Sequence, residues 1–237
     1  MCPMLALHGG ETGLDCCVVE HTEAVEDYLK VIFLLAAEGD TATTSRIAER
    51  LGVAPPSVSA MVRRLAAGDL LERPDRRGAV LTAHGERHAV RIVRRHRLLE
   101  TYLAQALGVP WDEVHDEAEA LEHALSERLE DRIDQALGHP THDPHGDPIP
   151  PRSGAHAEEW GEPLDAAHTG NHFRVERVSD RDSAALRYLA DLGIRPGVVL
   201  HVQERAPFGG PLWVAVGGTR HALGAQLTRL VHGSVEP

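Results

Sequence analysis

The segment TATTSRIAERLGVAPPSVSAMVRRLAAGDLLERPDRRGAVLT, residues 41–82, decides the fold. Thr44 or Ser45 opens a short helix that runs through Leu51 and ends at Gly52. Pro55 and Pro56 suit the first turn of the next helix, where a missing N–H costs no hydrogen bond. That helix carries Val58, Met61, Val62 and Leu65 and stops at Gly68. Leu70–Arg73 and Ala79–Thr82 then read as two short strands around the turn Pro-Asp-Arg-Arg-Gly. On the N-terminal side, Val25, Leu29, Ile32, Phe33 and Ala36 recur at helical spacing from Glu23 to Glu38, and Gly39 ends the run. Helix, helix, helix and hairpin in this order make a winged helix-turn-helix.

Such a unit lays its second helix in the major groove of DNA. The outward positions of that helix are Pro56, Ser57, Ser59, Ala60, Arg63 and Arg64. Serine can donate to a phosphate or a base edge, and arginine pairs with guanine or phosphate. Thr43, Ser45 and Arg46 are candidate phosphate contacts, and Arg76 and Arg77 on the wing can reach the adjacent backbone or minor groove. Few long side chains face the bases, so shape and phosphate positioning carry much of the expected specificity.

Charge supports this reading locally and opposes it globally. The 237 residues carry a net charge of −12. Residues 41–97 hold 12 basic and 5 acidic side chains, whereas residues 98–170 hold 3 basic and 17 acidic ones. A basic block followed by an acidic one suggests a polyanion for the first and a cation for the second. Ordinary solvated helix faces are the alternative.

Beyond the wing, a long helix spans about His84 to Leu107, followed by helices at Trp111 to about Ala124 and Ser126 to Leu137. Residues 138–151 are too rich in Pro and Gly for regular structure, and His139, His142 and His145 read as loop residues there. From His172 onward, short apolar runs (Phe173–Val178, Val198–Val202, Leu212–Val216, Leu227–Val231) with one helix, Ser183–Leu192, suggest a small β-barrel of the SH3-like type. The expected organisation is a tail (1–21), the winged domain (22–93), a helical domain (94–151), a linker (152–170) and the SH3-like domain (171–237). The longest apolar run is Val31 to Ala37, far short of the about 20 residues a membrane span needs. Cys2, Cys16 and Cys17 form neither a disulfide framework nor a C-x-x-C pair. With no secretory signal in view, the expected compartment is the cytoplasm.

The acidic block has internal order. At about 100° per residue, with His115 at zero, Glu119, Glu122 and His123 fall at about 40°, −20° and 80°. Four potential ligands thus share one arc beside the apolar stripe of Val114, Ala118, Leu121 and Leu125. His96 and Glu100 are four apart on the preceding helix, and Asp27 on the first helix can point inward. Carboxylates with imidazole suit Mn²⁺ or Fe²⁺. A dinuclear carboxylate enzyme needs Glu-x-x-His on two helices, and the helical region has none. No nucleophile–base pair, phosphate-binding glycine loop or dinucleotide fingerprint occurs, so an enzyme is not expected.

Several strings carry a family resemblance: Asp-Tyr-Leu-Lys-Val-Ile (27–32), Arg-Ile-Ala-Glu-Arg-Leu (46–51), Arg-Arg-His-Arg-Leu-Leu-Glu (94–100), Val-His-Asp-Glu-Ala-Glu-Ala-Leu-Glu-His (114–123) and Asp-Pro-His-Gly-Asp-Pro-Ile-Pro (143–150). The chain resembles the diphtheria-toxin-repressor family of metal-dependent transcriptional regulators. Leu-Gly-Ile-Arg-Pro-Gly (192–197) is similar to the SH3-like third domain of its longer members. The resemblance implies a primary metal site at Asp27, Glu119, Glu122 and His123 and an ancillary one at His96, Glu100 and His115. It implies a further ancillary ligand at Asp182, while Ala185 replaces another. Iron-sensing members carry Met and Cys where Asp27 and Glu119 stand, so the acidic pair implies a manganese-dependent repressor of metal-uptake genes. An iron-dependent regulator, and a winged-helix regulator answering a non-metal signal, are the alternatives. Lys30 departs from short manganese regulators, which have a Glu ligand there. The expected partners are operator DNA and a second copy of the chain, with one or two dimers per operator and no membrane.

Overall fold

The computed structural model describes residues 22–72, 78–153, 156 and 160–236. The expected tail with its cysteines, and the wing residues Arg76 and Arg77, lie outside the described residues. Helix α1 (Glu23–Ala37) runs into α2 (Thr44–Leu51) and α3 (Pro55–Ala67). Thr43 caps α2 by accepting from the Arg46 N–H, and Gly52 closes it in the left-handed conformation that glycine adopts without strain. Val25, Leu29, Ile32, Ile47, Val58, Leu65 and Leu70 form one buried core with the first turns of α4 (Ala83–Leu107). Among the described residues of the two expected wing strands, Leu71 and Leu81 form an antiparallel bridge. Thr82 both pairs its N–H with Leu70 and caps α4, so the second strand ends where the helix begins.

The acidic helix is shorter and broken. Glu113 and Val114 both donate to the Pro110 carbonyl in a turn, so α5 covers only Val114–Leu121. Its last turn tightens into a 3₁₀ segment, Glu122–Ala124. Ser126 then caps α6 (Glu127–Ala136) by accepting from Leu129. A second core, built on Leu98, Val114, Ala118 and Ile133, joins α4, α5 and α6.

The C-terminal part is a six-stranded antiparallel sheet in the order β1-β6-β2-β3-β4-β5. Its strands are β1 (Glu162–Pro163), β2 (His172–Val178), β3 (Val199–Arg205), β4 (Leu212–Val216), β5 (Thr219–Leu223) and β6 (Val231–Glu236). Helix α7 (Ser183–Asp191) packs Leu186 and Leu189 into its core. Two expectations change here. Leu227–Val231 is not a strand: Leu227 and Thr228 donate to Gly224, forming α8 (Ala225–Thr228), and the strand starts only at Val231. The span read as linker, 152–170, contains β1 and a 3₁₀ turn whose Leu164 is buried in the sheet core. β5 had no separate signal, because Thr219–Leu223 contains only two apolar residues.

Residues 138–151 are also better ordered than their composition suggests. The Asp143 carboxylate accepts from the N–H groups of His145 and Asp147. Arg97 holds the Pro148 carbonyl at 2.6 Å and Asp147 at 3.0 Å, and Arg94 holds the Pro150 carbonyl at 2.7 Å. The Val178 N–H donates to the His145 carbonyl at 2.8 Å. A Cβ on Gly146 would sit 1.9 Å from the Glu176 carbonyl oxygen, so only glycine allows this approach. Trp111, from the turn before α5, is buried in the sheet's core.

Candidate metal centre

Two adjoining clusters of carboxylate and imidazole lie where α1, α4, α5 and the end of β2 meet. The first joins the winged domain to the helical one. His123 Nε2 lies 2.9 Å from Asp27 Oδ1 and 3.5 Å from Glu122 Oε1, while its Nδ1 lies 2.6 Å from Glu26 Oε2. Glu122 is fully buried, and the ammonium of Lys30, itself 5 % exposed, donates to Glu119 and Glu122 at 2.6 Å each. Lys30 is the only lysine of the sequence. Burial lowers the affinity of Lys30 for its proton, but Glu122 and Glu119 override that and raise it. Burial likewise works against a charged His123, and Glu26, Glu122 and Asp27 raise its pKa nonetheless. Burial raises Asp27, and the nearby His123 and Lys30 only partly offset it. The acids of this cluster thus face the chain's own cations, Lys30 and His123.

The second cluster comprises His96, Glu100, His115 and Asp180. His96 Nε2, His115 Nδ1 and Glu100 Oε1 form a triangle with edges of 3.0, 3.2 and 3.3 Å. Ligands at right angles, about 2.1 Å from a divalent ion, lie about 3 Å apart, so these atoms fit one ion. Asp180 Oδ2 stands 3.0 Å from His115 Nδ1. On the far side of Glu100, His145 is wholly buried. Its Nδ1 and Glu100 Oε2 face each other at 3.8 Å, each without a hydrogen bond. His145 Nε2 contacts the Trp111 carbonyl oxygen at 2.7 Å. His96 belongs to both clusters, because its Nδ1 meets Glu122 Oε2 at 2.6 Å. A carboxylate on one ring nitrogen fixes the tautomer and leaves the other nitrogen to a metal.

The sequence arc therefore splits: Glu119, Glu122 and His123 face α1, whereas His115 turns to α4. Asp182 is corrected. Its carboxylate caps α7, accepting from Ala184 and Ala185 at 3.0 Å each, and Asp180 is the acid that reaches His115. His145 is a loop residue, as expected, but a fully buried one beside Glu100. Sequence reading missed Glu26, Asp143, His145 and Asp180. The run Asp-Pro-His-Gly-Asp carried a usable signal, since Asp before Pro and Gly favours a tight side-chain-closed turn.

On α3, Pro56, Ser57, Ala60, Arg63 and Arg64 are exposed together, and Ser59 is half-buried with its hydroxyl on the Pro55 carbonyl. Ser45 is exposed at the start of α2, Thr43 is engaged as its cap, and Arg46 pairs with Asp40. The structure thus groups the α3 residues on one accessible face and leaves Thr43 and Arg46 with local partners.

Two expected results follow from these electrostatics. Burial disfavours charge on His96, His115 and His145, yet neighbouring carboxylates raise them to about 9, about 11 and about 9. Their stabilising protonation is complete below the ordinary value of about 6.5 and is lost as pH rises through the folded values. The thermal midpoint of chelator-treated protein should fall between pH 7 and pH 9.5. Calorimetry in manganese should show a smaller fall, because an ion takes the place of the lost protons; parallel falls would refute the cluster's role. Second, Lys30→Met removes the resident ammonium. Titration calorimetry at pH 7 should show manganese binding tightened about tenfold, equal to about 1.4 kcal/mol. Unchanged or weaker binding would mean that the ammonium does not compete.

Residues 20–79 match the family described as iron dependent repressor, N-terminal DNA binding domain, and residues 82–151 match its metal binding and dimerisation domain. Residues 162–234 match the FeoA domain. The iron-dependent repressor IdeR of Mycobacterium leprae is 42 % identical over 128 residues, 54 % of this chain and 56 % of that protein. The match thus spans little more than half the length of such relatives. The diphtheria toxin repressor of Corynebacterium efficiens is 32 % identical over 191 residues, 76 % of this chain and 83 % of the relative. Among solved structures, a manganese-dependent transcriptional repressor in complex with manganese shares 42 % identity at a TM-score of 0.83, covering 90 % of this chain and 100 % of that one. The manganese regulator SloR shares 30 % identity at a TM-score of 0.76, covering 90 % and 98 %.

Proposed function

The chain belongs to the iron-dependent repressor family of metal-dependent transcriptional repressors, and from that premise we propose that it is a manganese-responsive repressor of metal-uptake genes, acting as a homodimer on operator DNA. One observation carries the reading: a carboxylate–imidazole cluster joins α1 of the winged domain to α5 and the 3₁₀ turn of the helical one. Asp27, Glu119, Glu122 and His123 would hold the primary ion, and His96, Glu100, His115 and Asp180 the second. A divalent ion there supplies positive charge that keeps carboxylates of both domains together. Asp27 then ties α1, and with it α2 and α3, to the helical domain. A dimer reads two half-sites only when its recognition helices are about 34 Å apart, or a multiple. Holding α1 favours that spacing, and metal and DNA affinity reinforce each other reciprocally.

Manganese is favoured by a donor set of oxygen and imidazole without Cys or Met. Iron is the second reading, favoured by the matched families, whose descriptions name it. Pro56, Ser57, Ser59, Ala60, Arg63 and Arg64 of α3 would face the groove. A repressor of this kind works in the cytoplasm with the DNA, and among the described residues no helix is long and apolar enough to cross a membrane. The test is anisotropy on the promoter of its own or a neighbouring metal-transporter gene, using chelator-treated protein titrated with Mn²⁺, Fe²⁺ or Zn²⁺. Manganese should drive tight binding at the lowest concentration, and sedimentation of the complex counts one or two dimers. Equally tight binding by the stripped protein would overturn the proposal.

A further inference from the structure

Asp180 and Arg181 occupy the short loop between β2 and α7. Both ends of that loop are tied: the Ser179 N–H donates to the Leu230 carbonyl, and Asp182 caps α7. Neighbouring Cα atoms are about 3.8 Å apart, so two residues between fixed ends cannot shift independently. The two side chains point to different domains. Asp180 reaches His115 in the second cluster. Arg181 pairs with Glu38, the residue that terminates α1. Glu38 also holds Arg50 of α2 at 2.7 Å, so it belongs to the framework of the helix-turn-helix. Burial pushes the Glu38 carboxyl up, but Arg50 and Arg181 hold it below its ordinary value.

Helix α1 is thereby gripped at two places. Asp27 and Lys30 meet the first cluster, and Glu38, eleven residues beyond Asp27, meets Arg181. At 1.5 Å per residue these points are about 16 Å apart. A rod held at one point can pivot; held at two, its direction is fixed. Because α2 and α3 extend from the Glu38 end, the direction of α1 sets the attitude of the recognition helix.

We propose that Arg181 is a positioning residue that transmits the state of the second cluster, through Asp180 beside it, to the winged domain. This rests on the metal-dependent reading above and adds the route by which the sheet domain takes part in DNA binding. The full-length protein tests it in three measurements: manganese stoichiometry, operator affinity and hydrogen exchange of α1 and α2. In the wild type, manganese must raise operator affinity; if it does not, the underlying reading fails rather than this one. Given that response, Arg181→Ala should keep the manganese stoichiometry, lose about three- to tenfold in manganese-dependent operator affinity, and exchange faster at the end of α1 and in α2. Arg181→Lys should recover much of the loss. Asp180→Asn should also weaken operator binding, and adding Arg181→Ala to it should cost little more. Wild-type affinity and exchange in Arg181→Ala, a reduced manganese stoichiometry in that variant, or fully additive losses in the double variant would each overturn the proposal.

Discussion

Glu122→Ala is expected to abolish manganese-dependent operator binding and to destabilise the metal-free protein by about 3 kcal/mol. Glu122 is fully buried, and its two oxygens serve Lys30, His96 and, at longer range, His123. Its removal leaves the Lys30 ammonium with Glu119 alone, in a site from which water is largely excluded. It also removes the carboxylate that orients His96 between the two clusters. Both effects act in the same direction, so no other single ligand should cost as much. Urea unfolding of chelator-treated protein measures the stability, and anisotropy with saturating manganese measures the binding. A loss below about 1 kcal/mol with metal response intact would show that the cluster is only a surface charge patch.

A comparable effect is expected at Asp147, outside both clusters. Its carboxylate is shared by two buried guanidinium groups, Arg97 at 3.0 Å and Arg177 in direct contact. Burial and the nearby Arg97 already lower Arg177 to about 9. Arg177 also lies over the ring of Trp160, with its guanidinium carbon 3.3 Å from the centroid. Asp147→Ala removes the anion that these two buried cations share, with Asp143 4.0 Å from Arg97 left in place, a cost of about 3 kcal/mol. Because Arg97 lies on α4 and Arg177 on β2, the damage falls on the seam between helical and sheet domains. Calorimetry should resolve an early transition as the sheet domain separates. Manganese titration should lose the sites that need Asp180 before those that need Asp27. One transition at the wild-type midpoint would remove Asp147 from this role.

What the sequence disclosed depended on how local the cause was. The winged unit was readable because its signals are neighbours: the Gly52 stop, the Pro55–Pro56 start and the apolar spacing of α3. His96 with Glu100, and Glu119 with Glu122 and His123, were readable because one or two helical turns bring them together. The splitting of that arc was not, since it follows from a 3₁₀ turn at Glu122 that the periodicity of α5 does not announce. Asp180 was hidden by Asp182 two residues later, although helix chemistry held a clue. An Asp directly before Ser-Ala-Ala-Leu is placed to cap a helix, and that task occupies its carboxylate. Lys30 and His145 could not be placed from pattern, because their partners, Glu119 and Glu122 for the one and Trp111 and Glu100 for the other, lie far along the chain; the local turn closed by Asp143 was the part that pattern could signal.

The contact at Gly146 has a mechanical consequence. The helical and sheet domains meet there through main chain: the Val178 N–H on the His145 carbonyl, and Gly146 against the Glu176 carbonyl. Peptide groups along a strand repeat their outlook every two residues, a step of about 7 Å. The domain therefore cannot creep by fractions of an ångström as two greasy surfaces can; its next equivalent seat is a whole step away, with Asp180 out of range of His115. Attachment of this kind is indexed like a ratchet tooth, engaged or released, and a released domain takes its carboxylate with it.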